Sequence, residues 1–558
     1  MRRAVSPLLV LSVVAAASCA NKTSHDESTG LGPAGAAGDA GSTFDVGASG
    51  GGLDAAVDGA APPANQPDPT TCAEAASRKT YVGCDYWPTV VANNVWSVFD
   101  FAAVVANAGD APAEITVTGP GGVSQTVTVP PNGLKKIYLP WVAALKGSDF
   151  AECAPVPLPG SVFARKSAYH LIASVPVSVY QFNALEYKGS GGPPGKSWAE
   201  CPPAGYCKAG KLDCYSFSND ASLLLPSTAM TGNYRVTGMS GWTDETAHAV
   251  TNSYFAITAT ADGTHVKVKV GSKGKVLAGT GIAATAAGDT LELDLDAGDV
   301  VELACEPGAQ CDPSGSLVQA TRPVQVIAGN PCTNVPNKVA TCDHLESTVF
   351  PAETLGQRYL VTVPTGPHAT LVGHVVRFYG NVDGTHLTYP AGRPGGAPST
   401  LDAGQVVEAL ANQDFEVTGD AAFAVGSFMI GSANLDPSVA PPNQKGDPSQ
   451  SNYAAVEQYR SKYVFLTPDD YDVAFLDMVV PTGVTVALDG APATTVWDQP
   501  ISGGMRGVRV KLEHEAQGAH VLTASAPFGL QVIGYGSYTS YMYPGGLNLS
   551  AIAPPPIK

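Results

Sequence analysis

The feature that most constrains this chain is a short internal repeat built around proline. Ala-Ser/Thr-x-Pro occurs at 173–176, 320–323 and 524–527, and an apolar alternating segment follows each copy. A degenerate fourth copy at 418–421 leads into a similar segment at 422–425. Period-two alternation reads as a half-buried strand, and Pro176, Pro323 and Pro527 lack the N–H that a central strand needs, so each marks a corner or an edge. The copies recur about 100 residues apart outside the first interval, the size of one β-sandwich with Greek-key connections. Upstream elements repeat as well: Pro226 with Tyr234 and Val236, then Pro351 with Tyr359 and Val361. Asp-Gly-Thr-His occurs at 262–265 and again at 383–386, a turn followed by a strand opening. Long helical periodicity is scarce. The expectation is an all-β chain of tandem β-sandwich modules, Ig-like or similar and disulfide-stabilised. The alternative is a β-propeller-like arrangement in which each module is two blades.

Boundaries follow from the repeat and from shifts in composition. Residues 1–19 form a leader and 20–70 a Gly/Ala/Asp-rich tether with almost no large apolar side chain, which cannot offset its ordering entropy. The first β module spans 71–185, a cysteine-rich insertion 186–221, the second module 222–331 and the third 332–433. A linker and the fourth module fill 434–558.

The leader fixes an address. Arg2 and Arg3 precede an apolar run at 8–17, too short for a bilayer-crossing helix of about 20 residues but suited to an export signal. Small residues Ala16, Ala17 and Ser18 lead into Cys19, a pattern that resembles the bacterial lipoprotein signal, with Ala16 in place of the usual Leu. The rival reading is an ordinary secretory signal with an incidental cysteine. Lipidated Cys19 would make this an exported protein anchored by an N-terminal lipid to the envelope, outer membrane or cell surface, of a Gram-negative bacterium.

Export also decides the cysteines. Eleven are present, and beyond Cys19 an even set remains. Sequence closeness favours bridges Cys72–Cys84, Cys305–Cys311 and Cys332–Cys342, leaving Cys153, Cys201, Cys207 and Cys214 to pair among themselves in one of three ways. No CxxC pair supports a zinc site. A formal charge of −18 with no Lys/Arg cluster repels phosphate backbones, which sets nucleic acid aside as a partner.

Several segments carry a family resemblance. They are Asn330-Pro331-Cys332; Cys342-Asp343-His344-Leu345; Gly446-Asp447-Pro448-Ser449 with Val456-Glu457-Gln458-Tyr459-Arg460; and Asp470-Tyr471-Asp472-Val473. The closing Gly534-Tyr535-Gly536-Ser537-Tyr538, Ser540-Tyr541 and Tyr543-Pro544-Gly545-Gly546 complete the set. Together, from about Asp220 to Asn548, they resemble the IgGFc-binding protein N-terminal domain family, found in animal mucus proteins and bacterial surface proteins. The resemblance implies its β-rich fold and a general surface-binding role, without the antibody ligand.

Candidate sites are few. His344 beside Cys342 and Asp343 invites a nucleophile or metal reading, but a bridged Cys342 has no thiolate, so a structural His is expected. His265 and His386 belong to their turns. Asp469, Asp470 and Asp472 place three carboxylates within four residues, the best calcium candidate in a chain otherwise expected to need no cofactor. Tyr535, Tyr538, Tyr541 and Tyr543, among Gly, Ser and Pro, offer a recognition surface for protein or glycan, or else close the last module's core. No nucleophile elbow, His-Glu-x-x-His or phosphate loop occurs, so the chain is read as a non-catalytic binding or adhesion protein. The alternatives are an extracytoplasmic polysaccharide hydrolase with a carboxylate pair, which leaves no motif, and a purely structural envelope protein.

Two measurements check the address. Cys19→Ser moves the protein from the membrane to the soluble fraction, and thiol titration of the denatured mature protein finds no free cysteine. Membrane retention of the variant removes the lipid anchor, and two or more titratable thiols reopen the metal reading.

Overall fold

In each repeat the chain passes from one layer of a sandwich to the other, with a proline at the crossing in the first, second and fourth units and Ala421 there in the third. The computed structural model describes residues 68–556 apart from 152–153, 202–214, 245–248, 338–341, 441–442, 469 and 515–517. Strand makes up 48% and helix 7%, which places the chain in the all-β class. Strand β1 (His170–Asn183) pairs with Ala113–Gly119 before Pro176 and with Phe101–Asn107 and β2 (Ala221–Leu223) after it. In the second unit Leu317–Ala320 lies in the outer sheet, and after Pro323 the chain continues as β3 (Val324–Thr333). There β3 pairs with Tyr254–Ala259 and with β4 (Asp343–Thr348). The third unit repeats this with Phe415–Gly419, then β5 (Phe423–Met429) against His374–Gly380 and β6 (Gln450–Asn452). In the fourth, β7 (Gly518–Gly536) pairs with Arg460–Thr467 before Pro527 and with Val473–Pro481 and β8 (Thr539–Pro544) after it. A residue without an N–H suits the crossing, where the strand leaves one ladder before joining the next.

A buried tyrosine pins every crossing. The hydroxyls of Tyr86, Tyr234 and Tyr359 donate to the carbonyls of Val177, Val324 and Phe423, each at 2.6 Å, and Tyr463 donates likewise to Phe528. Three of these hydroxyls also accept an N–H from three residues upstream: Thr231 at 3.2 Å, Gly356 at 3.2 Å and Arg460 at 2.9 Å. Tyr234 and Tyr359 were legible as a repeated pair in sequence. Tyr86 and Tyr463 share their role without sharing the flanking pattern.

The four units close on themselves. Between the first and second, Gln325 Nε2 donates to Trp87 O at 2.8 Å and the Thr89 and Thr258 hydroxyls meet at 2.9 Å. Between the second and third, Arg377 pairs with Asp312 and Tyr379 OH donates to Gly238 O at 2.7 Å. Arg509 joins the third and fourth by donating to Asp414 Oδ1 at 2.6 Å. The fourth returns to the first: Tyr180 OH donates to Val464 O at 2.9 Å, and Leu549 N donates to Lys79 O at 2.8 Å. Strands β2, β4, β6 and β8 line the centre, each touching the next in turn. The molecule is a propeller-like ring of four two-sheet units, in which each module takes the place of one blade rather than two.

Among the described residues, bridges join Cys72 to Cys84, Cys305 to Cys311 and Cys332 to Cys342. The last ties β4 to β3, fixing a central strand onto its own unit. Cys201 is also disulfide-bonded, while Cys19, Cys153, Cys207 and Cys214 lie outside the described residues.

Arg509 is fully buried, lies over the Trp497 ring at 4.0 Å and faces both Asp414 and Asp477. Arg509→Met strands two buried carboxylates and is expected to lower unfolding stability by about 3–5 kcal/mol. Guanidinium denaturation measures it; a loss below about 1 kcal/mol rejects this pair as a lock between units.

Candidate functional site

At the centre of the ring a single carboxylate meets all four inner strands. Asp220 Oδ1 accepts from Ala221 N at 2.9 Å and Met542 N at 3.4 Å. Its Oδ2 accepts from Glu346 N at 3.1 Å and Gln450 N at 2.9 Å. The four donors lie on β2, β8, β4 and β6. Ala221, Glu346 and Met542 oppose Phe182, Gly329 and Ile533 in their own hairpins. Burial pushes the Asp220 carboxyl well above the usual range, while the N–H donors pull the other way.

Two more aspartates stand at the start of neighbouring strands. Asp343 Oδ1 accepts from Asn219 N at 2.8 Å and His344 N at 2.7 Å, and its Oδ2 accepts from Thr539 Oγ1 at 3.1 Å. Asp447 Oδ1 accepts from Ser432 N at 3.2 Å, and Asp447 N donates to Ser540 Oγ at 2.8 Å. Burial and then the neighbouring Asp447 charge push the Asp343 carboxyl well up. Deeper in, Glu346 Oε2 accepts from Gln181 Nε2 at 3.3 Å and from Asn183 Nδ2. His344 is fully buried with Nε2 3.6 Å from Glu346 Oε2, and neither ring nitrogen has a hydrogen-bond partner among the described residues. Cys342 is bridged to Cys332, so no thiolate stands beside this imidazole.

Family segments scattered over some 200 residues of sequence thus gather at one end of the axis. Cys342-Asp343-His344, Gly446-Asp447-Pro448-Ser449 and Ser540-Tyr541 hold one another through Asp220, Asn219 and Thr539. Nothing in the sequence marked Asp220 or Glu346 as central, because their partners, backbone N–H groups for Asp220 and the Gln181 and Asn183 amides for Glu346, come from distant segments.

One sequence expectation is corrected and another is placed. Tyr535, Tyr541 and Tyr543 are fully buried and offer no surface. The Tyr541 and Tyr543 rings fill the space between β8 and the first and fourth units, where Tyr543 lies 4.8 Å from Tyr180 and Tyr541 lies 4.8 Å from Tyr471, whereas Tyr535 faces the third unit and donates to Thr365 O at 2.7 Å. The calcium candidate is already engaged by cationic and amide donors. Asp470 Oδ2 accepts from Tyr187 N at 2.7 Å, and Asp472 meets Lys188 Nζ at 3.2 Å and Lys445 Nζ at 3.3 Å. Asp469 lies outside the described residues. His265 and His386 stay with their turns, bonded to Asp294 at 2.8 Å and Asp420 at 3.1 Å.

Tyr538 alone of the four tyrosines is half-exposed, and it borders Phe217, whose ring centroid lies 6.5 Å away. Phe217 meets Tyr215 at 5.5 Å, and Tyr215 stacks on Tyr187 at 5.7 Å. Phe217 and Tyr538 hold φ of 51° and 53°, a left-handed conformation that bulky side chains rarely adopt outside constrained sites. Lys188, Lys445 and Asp472 flank the strip. Half-exposed aromatic faces edged by charge thus lie at the end of the ring where the inner strands begin.

The described residues form a closed β-ring around a buried polar axis. The sequence model of the IgGFc binding protein family matches residues 220–534, and the chain belongs to that family. The match opens on Asp220 itself and leaves the first unit outside. No curated protein and no solved structure matches the chain. Among the described residues no helix is long and apolar enough to cross a membrane.

Asp220→Ala leaves its backbone donors unpaired in a dry axis and is expected to lower stability by about 3 kcal/mol or more, with Asp220→Asn recovering part. A loss confined to a few tenths in denaturant unfolding removes Asp220 from its central role. Glu302, buried against the first unit and accepting from Ala92 N at 2.8 Å, is pushed up to about 8 by burial. The folded state therefore holds this proton more tightly than the unfolded state, so stability is full below about pH 4.5 and lost as pH rises towards 8. Melting temperature should fall from pH 5 to pH 8.5, and Glu302→Gln should flatten that fall; parallel profiles reject the assignment.

Proposed function

We propose that this chain is an exported, surface-displayed binding protein whose ring of sandwiches grips protein or glycan surfaces without transforming them. Membership of a binding-type β-rich family, with its segments converging on one end of the axis, is the observation that carries this reading. The strip of Tyr215, Phe217 and Tyr538 is the contact surface, because rigid aromatic rings give area with little entropy loss. A lipid on Cys19 and the tether at 20–70 hold the ring at the envelope, where many copies add avidity to modest single-site affinity. The family's name speaks of immunoglobulin Fc; for this chain Fc is one candidate among protein ligands.

Against polysaccharide hydrolysis stands the condition of the carboxyl groups gathered here. Asp220 and Asp343 are fully buried and Asp447 nearly so, tied to backbone N–H groups rather than facing a sugar across a cleft. The purified protein is expected to bind members of a glycan and protein array that includes Fc. Phe217→Ala and Tyr538→Ala should each weaken the best hit about tenfold or more with unchanged melting temperature. Unaltered binding moves the contact surface elsewhere, release of reducing ends from a polysaccharide makes the chain a hydrolase, and an array without hits makes it a structural envelope protein.

A further inference from the structure

A strand that ends a sheet in solvent presents unpaired N–H and C=O groups, and folded proteins guard such edges with charge, proline or brevity. Most outer strands of this ring are guarded. Gly133–Leu139 carries Lys135 and Lys136, Thr290–Leu295 carries Glu292 and Asp294, and Val406–Ala411 carries Glu408. Trp497–Ser502 carries Asp498 and Pro500, and Thr400–Leu401 is only two residues long.

Val123–Val129 departs from this rule. It is seven residues long, reads Val-Ser-Gln-Thr-Val-Thr-Val, and contains neither charge nor proline. One side pairs with Ala113–Gly119, and the sheet ends there. Ser124, Thr126 and Thr128 are exposed, and Val123, Gln125 and Val127 are half-exposed. Its sequence is close to a palindrome about Thr126. Two copies run antiparallel would set Val123 against Val129, Ser124 against Thr128 and Gln125 against Val127, with Thr126 facing its own mate. Every row pairs an uncharged side chain with an uncharged side chain, and hydroxyl rows meet hydroxyl rows. The strand belongs to the first unit, which lies outside the family match, so it is a property of this chain's added module.

We propose that Val123–Val129 is a self-pairing edge, through which a second copy of this chain continues the first unit's sheet across a two-fold axis. The occupant is another copy because the edge complements itself and carries no charge for an acidic or basic partner to read. A formal charge of −18 on each chain opposes the approach at long range, so added salt strengthens the pairing. One strand pair about 24 Å long buries less than the ~1,200 Å² of a standard stable interface. The dimer is accordingly weak in dilute solution and is favoured where copies are concentrated. That crowding rests on the anchored display proposed above, whereas the pairing itself does not.

Single-cysteine trapping of the intact protein tests it. Thr126→Cys places two sulfurs opposite each other within disulfide reach, while Thr116→Cys, exposed one strand inward, leaves its mates about 14 Å apart. Under mild oxidation the first variant should form a covalent dimer, more at 0.5 M than at 0.05 M NaCl, and the second should match the unsubstituted chain. Sedimentation of the concentrated, unsubstituted protein should show a reversible dimer that Thr126→Lys abolishes while melting temperature holds. Equal trapping at both positions, or a dimer that survives Thr126→Lys, overturns the proposal. Loss of ligand binding with trapping intact would instead count against the array reading alone.

Discussion

Everything in the ring converges on the carboxylate of Asp220. A closed arrangement of four sandwiches brings four strand edges to one axis, and their amides cannot all find ladder partners there. One buried acceptor with two oxygens takes an N–H from each unit, turning four separate edges into a single hydrogen-bonded centre. Asp343, Asp447 and Glu346 extend that centre along the axis, each accepting hydrogen bonds from backbone, hydroxyl or amide donors. Buried polar groups of this kind give little net stability beside an apolar core, but they specify which strand sits where.

Around this axis the units share one device. A strand leaves the outer layer, loses its ladder at a proline or at Ala421, and rejoins the inner layer, with a tyrosine hydroxyl capping the first carbonyl beyond. The inner part of that strand then forms a hairpin with an axial strand. The half-exposed aromatics lie at the rim, where Phe217 and Tyr538 are held in left-handed backbone beside the axial strand ends. An axis sealed by desolvated acids suits a scaffold that must keep its shape while its periphery makes contact.

Much of this was legible because local chemistry carries it. The prolines of the repeat, the alternating strands and the three short-range disulfide pairs depend on residues near one another in sequence, and they stand in the structure where spacing placed them. The tyrosine cluster was legible as a cluster but not as a core. Gly and Ser between Tyr535 and Tyr543 look like a loop, whereas alternation across β7 and β8 buries both faces between two units. The lysines that pair with Asp472, Lys188 and Lys445, come from distant segments and were not legible beside the Asp469–Asp472 cluster in sequence.

The sequence alone determined the class of chain: β-rich and repeated about every 100 residues, with disulfides placed by spacing. Alternation, turn residues and cysteine spacing are local, and they act before any unit meets another. Only the tertiary structure decided that the units close into a ring, that Asp220 stands at its centre, and which aromatics face water. Those outcomes depend on which backbone amides remain unpaired when four edges meet, a quantity defined only once the units are in place.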